Sequence, residues 1–64
     1  MMGKLKDAVI EAEQFATEHY NIPRYQFMWE LTKKYGSTVG TLSRVSLAHW
    51  DEIQHELHDY LKNW

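Results

Sequence analysis

The sequence predicts an all-α protein, a small bundle of three main helices at about residues 4–19, 23–35 and 47–63, with a short helical turn or loop at 38–45. Three observations carry this. Apolar residues recur at three- and four-residue steps in three separate stretches, the spacing of one face of an α-helix. No stretch alternates with the period of two that marks a strand. The stretches are punctuated by Pro23 and Gly36, residues that start and stop helices. The chain of 64 residues forms a single helical domain, and a domain this small has a marginal core. It contains no cysteine, so neither a disulfide nor a thiolate metal site reinforces it.

In the first helix, Leu5, Ala8, Val9, Ala12, Phe15, Ala16 and His19 share one face. Asn21-Ile22-Pro23 breaks it, because proline is tolerated in a first turn but not in a helix interior. The second helix then begins at Pro23 and ends before Gly36, the expected left-handed C-terminal residue. Lys33 and Lys34 occupy its last turn, at the negative end of the helix dipole. This helix is apolar on two sides: Phe27, Leu31 and Tyr35 form one row, Tyr25 and Trp29 another. The expectation is a central helix packed on both sides. The alternative is that Tyr25 and Trp29 form an exposed patch for a partner. Residues 37–45 are too few to stand alone as a helix, and Gly40 weakens them further; Thr38 is a candidate cap for a short turn there. Ser46 is the expected N-cap of the last helix, whose stripe is Leu47, Trp50, Ile53, Leu57, Tyr60, Leu61 and Trp64. The expected core is Phe15, Phe27, Leu31, Leu42, Trp50, Ile53 and Leu57.

The formal net charge is −2, unlike that of a general nucleic-acid binder, but it is unevenly spread. Residues 21–45 hold Arg24, Lys33, Lys34 and Arg44 against Glu30 alone. Both flanks are acidic, so any contact with phosphate is oriented through the middle of the chain.

That middle contains Leu31 to Val45, reading LTKKYGSTVGTLSRV. A helix-turn-helix needs apolar anchors on two helices, a small residue where they cross and a glycine at the turn. Leu31 and Tyr35, Thr32, Gly36, and then Leu42 and Val45 are spaced to supply these in order. The segment resembles the helix-turn-helix units of bacterial and phage repressors and recombinases. The resemblance implies phosphate contacts by Lys34 and Thr38, with Lys33 adding positive charge. It places Thr41, Ser43 and Arg44 in the groove, Arg44 alone being able to make a bidentate contact to guanine. The stretch departs from the pattern at Ser37, where an apolar residue is usual, and at Val39 and Gly40, which replace polar readers. A looser likeness, Trp29 to Leu57, is to small helical modules of phage recombination and regulatory proteins; there Ser46 is a cap.

Enzymatic signatures are lacking. There is no cysteine nucleophile, no Ser-His-Asp pattern, and GSTVG lacks the lysine of a phosphate-binding loop. His55 and His58 lie three apart near Asp51 and Asp59, a spacing that can hold a metal, but the face reads as solvated and neither metal nor cofactor is expected. No transmembrane or targeting segment is expected either, and the expected compartment is the cytoplasm.

The sequence therefore predicts a small phage- or mobile-element-type regulator or accessory protein that associates with DNA through Lys33, Lys34, Thr38, Thr41, Ser43 and Arg44 and has no catalytic role. The alternative is a protein-interaction module, for example a phage-type inhibitor of a host protein, using Tyr25 and Trp29 or the acidic last helix. A homodimer is compatible with either.

Overall fold

A computed structural model describes the backbone of residues 2–62 and the side chains of residues 6–62. Leu5 and Trp64, counted on the apolar stripes above, lie outside the described side chains, and so does the expected helix end at residue 63. Three helices follow one another: α1 (Met2–Glu18), α2 (Arg24–Tyr35) and α3 (Thr41–Lys62). Among the described residues there is no strand, and no helix is long and apolar enough to cross a membrane.

The helix ends follow local chemistry. After α1, the His19 ring donates to the Phe15 carbonyl at 2.8 Å, and the His19 amide donates to the Ala16 carbonyl at 3.2 Å. These bonds satisfy acceptors that a helix C-terminus leaves open. Pro23, with φ −62°, precedes α2, and its carbonyl accepts the Phe27 amide at 3.0 Å. Gly36 has φ 78° and its amide reaches the Thr32 carbonyl at 2.7 Å. That left-handed conformation is open to glycine at little cost.

The third helix differs from expectation. The short segment and the last helix are one continuous helix of 22 residues. Ser46 is therefore not an N-cap but an interior residue, fully buried together with Ser43. Gly40 closes the loop instead, its carbonyl accepting the Arg44 amide at 3.0 Å. Glycine is acceptable in that capping position. Nor does Thr38 start a helix: residues 37–40 are non-helical, and the Ser37 hydroxyl accepts the Val39 amide at 3.0 Å.

Hydrogen bonds fix the register of α1 against α3. His49 Nε2 lies 3.3 Å from Thr17 Oγ1. The Trp50 indole donates to the His19 carbonyl at 2.9 Å, and the Gln54 amide donates to the Tyr20 carbonyl at 2.5 Å. These partners are 31 to 34 residues apart and advance together along the chain, so the two helices run parallel. The same offset brings Ala12 and Ala16 level with Ser43, Ser46 and Trp50. Four of these five are small and fully buried, which lets the two helix backbones approach closely. Helix α2 lies antiparallel to both. Lys34 at its end pairs with Glu11 at 3.0 Å, and Arg24 at its start pairs with Asp51.

Phe27 and Leu31 of α2 fill the space between α1 and α3, both fully buried. The Phe27 ring stacks on Trp50 at 5.1 Å between centroids and tilts against Phe15 at 5.8 Å. Phe15, Ile22, Met28, Tyr35 and Leu47 pack around this cluster. Phe27, Leu31 and Trp50 thus stand where the sequence put them. Leu42 and Ile53 are only half-buried. Leu57, expected in the core, is 37% exposed, because α3 continues past the point where α1 ends.

The Ser46 hydroxyl is buried without a hydrogen-bond partner. An unpaired buried hydroxyl costs stability, and alanine is also the better helix former. Ser46→Ala is therefore expected to stabilise the protein by about 1 kcal/mol. A thermal melt should show the midpoint rising by roughly 4–8 °C for a domain of this size.

Candidate interaction surface

All the large buried side chains of α2 point toward the groove between α1 and α3, and both of those helices lie on the same side of it. The opposite side is bare, so the expectation of a helix packed on two sides is overturned. Tyr25 is 77% and Trp29 56% exposed. They stand one helical turn apart, so their rings form a continuous ridge. Beside them a shallow concavity of about 450 Å³ is lined by Tyr25, Gln26 and Trp29. The Lys33 ammonium lies 4.2 Å from the centre of the Trp29 ring, a cation–π contact that extends the row by another turn.

The residues expected on DNA are not gathered on one face. Ser43 is fully buried and donates its hydroxyl to the Ser37 carbonyl, so it faces the loop and the core and not a groove; the sequence placed it outward because the helix phase of this segment was not yet fixed. Thr38 is half-buried in the loop. Lys34 is held by Glu11 at 3.0 Å and lies over the rings of Phe15, at 5.4 Å, and Tyr35, at 5.5 Å. Lys33 lies over Trp29. Thr41 and Arg44 are exposed at the start of α3 and share with Val45 and Ala48 a second shallow concavity of about 470 Å³. Of the four cations in residues 21–45, Arg24 and Lys34 are tied to carboxylates. Arg44 alone of the four makes neither an ion pair nor a ring contact among the described residues.

The Lys34–Glu11 contact raises the Lys34 pKa, chiefly through the hydrogen bond to Glu11, while desolvation works against it. A lysine stabilised in its charged form in the folded state contributes stability below its unfolded pKa. That contribution disappears as the pH rises through the higher folded value. The pair is largely surface-exposed, so Glu11→Gln is expected to cost less than about 1 kcal/mol. The loss should show in urea melts at neutral pH and vanish above the lysine range.

The described residues contain no group of three or more histidine, cysteine or acidic side chains placed to hold a metal. His55 and His58 are exposed on α3. On the last helix the sequence points to the acidic face, whereas the structure also exposes Leu57 and Leu61 of the apolar stripe. The spacing there continues the stripe from Trp50, which places Leu57 in the expected core and Leu61 on the same stripe. The available signal was helix length: α3 outruns the helix that covers it.

No protein-family model, no curated protein and no solved structure matches this chain.

Proposed function

We infer that this chain is a small, non-catalytic protein-interaction module whose binding surface is the Tyr25–Trp29 row of α2. The observation that carries this reading is the exposure of two large aromatic rings on one bare helix face. Isolated apolar side chains on a surface are ordinary, but adjacent aromatic rings beside a concavity have the composition of an interface centre. Lys33 gives the row a positive edge, which favours a partner with carboxylates at the rim. The reading is tested by capture: immobilised wild-type protein retains a partner from an extract of its source cells, and Trp29→Ala loses it while keeping the wild-type circular dichroism. Retention of the same partner by Trp29→Ala would remove the proposal.

A second reading, DNA association, is favoured by Arg44 and Thr41, which lie exposed at the start of a long helix. Against it, Lys34 is engaged, Ser43 is buried and Asp51 and Glu52 follow on the same helix. One free arginine makes a weak reader of sequence. DNA titrations across salt concentrations, with Arg44→Ala and Lys34→Ala alongside wild type, decide it. No binding at low salt, or binding unchanged in both variants, would exclude it.

A further inference from the structure

We propose that the occupant of the Tyr25–Trp29 row is an extended, proline-rich segment of a partner protein, with an acidic residue beside its prolines. This rests on the row being the interaction surface inferred above. The row is narrow: the residues around the two rings, Gln26, Glu30 and Lys33, are polar. A partner helix buries a broad apolar face in a groove, whereas here two rings stand on the bare side of one helix. A partner strand adds to a sheet edge, and the described residues contain no strand. A polyproline helix needs neither. It makes no hydrogen bonds of its own, and it docks in concavities lined by aromatic rings.

The chemistry of the concavity matches such a segment. Its lining of Tyr25, Gln26 and Trp29 offers a phenol hydroxyl, a side-chain amide and an indole N–H, all able to donate. Among the described residues none of the three groups has a hydrogen-bond partner. A polyproline backbone presents open carbonyls, and its prolines bring no N–H that would need an acceptor. The ring faces carry the negative side of the aromatic quadrupole, which suits the slightly positive C–H groups next to a proline nitrogen. Charge then sets the flanking residue. The Lys33 ammonium lies 4.2 Å from the centre of the Trp29 ring and turns away a basic side chain. Lys33 stands one turn beyond Trp29, about 6 Å along the helix axis, and two residues of polyproline span about the same distance. A carboxylate two residues from the seated proline therefore meets Lys33. Elsewhere the row attracts no carboxylate: Arg24, at the other end of α2, is tied to Asp51, and Glu30 adjoins Gln26 on the flank.

The test titrates three labelled synthetic peptides into the full chain, to millimolar concentration, by fluorescence anisotropy. One is a run of prolines followed by two aspartates. The second has lysines in place of the aspartates, and the third has glycine and serine in place of the prolines. The proline–aspartate peptide should bind wild type, and the glycine–serine peptide should not. Tyr25→Ala and Trp29→Ala should each weaken binding at least about tenfold. Lys33→Glu should make the lysine peptide the better ligand. Circular dichroism confirms that each variant folds, and Lys33→Glu, at an exposed position, decides the matter even where an aromatic variant unfolds. If the proline–aspartate peptide fails to bind wild type while Trp29→Ala still loses the captured partner, the surface stands and the proline assignment falls. If Trp29→Ala keeps that partner, both fall. Equal binding of the glycine–serine peptide, or an unchanged charge preference in Lys33→Glu, would also overturn the assignment. So would a wild-type dimer, seen by sedimentation and abolished by Trp29→Ala, which would give the rings to a second copy.

Discussion

Phe27→Ala is expected to leave the protein largely unfolded at room temperature. Phe27 is fully buried, stacks on Trp50 and touches Phe15, so it is the side chain through which α2 joins α1 to α3. Removing a buried phenylalanine costs about 3–5 kcal/mol. A domain of 64 residues has about 3–10 kcal/mol in all. Ala16, in the same cluster, is too short to extend into the space it leaves. Circular dichroism with a urea titration is the check. Loss of helical signal in water, or a midpoint moved close to zero denaturant, is the expected result; a loss of less than 1 kcal/mol would place the core elsewhere.

Trp29→Ala is expected to do the reverse: little to stability and much to binding. Trp29 contributes no core packing, and its contact with Lys33 is worth less than about 1 kcal/mol at an exposed site. The variant should therefore melt close to wild type. A centrally placed tryptophan in an interface is commonly worth 2 kcal/mol or more, so affinity for the captured partner should fall at least about thirtyfold. Calorimetry of the same preparation for melting and for binding separates the two effects. A variant that unfolds would show that the ring supports the fold.

These two residues also show what a reader of the sequence can and cannot see. Phe27 and Trp29 lie on the same helix, both aromatic, in rows with the same spacing. Nothing in that spacing says which row faces inward; the answer depends on where α1 and α3 settle. Pro23 and Gly36 were legible because proline and glycine act through their own backbone, without neighbours. The start of α3 was not, because serine serves equally as a cap and as the small residue that two close helices need. The sequence suggests the first for Ser46, and the structure shows the second. That change carries the site with it: joining residues 41–46 to the long helix fixes its phase, which turns Ser43 inward and leaves Thr41 and Arg44 outside. The overhang of α3 was hidden for a related reason. Leu57 and Leu61 keep the period of the core, and only the end of α1 at Glu18 shows that they lie beyond it.

Contact between the bare face of α2 and a protein can be trapped covalently by a photo-crosslinking residue placed at Gln26, which lines the concavity with Tyr25 and Trp29, with a second placed at Arg44 for comparison. Irradiation in the source cells is predicted to yield a discrete protein adduct from position 26 and no nucleic-acid adduct from either position. An adduct to DNA from position 44, with none to protein from position 26, would contradict it.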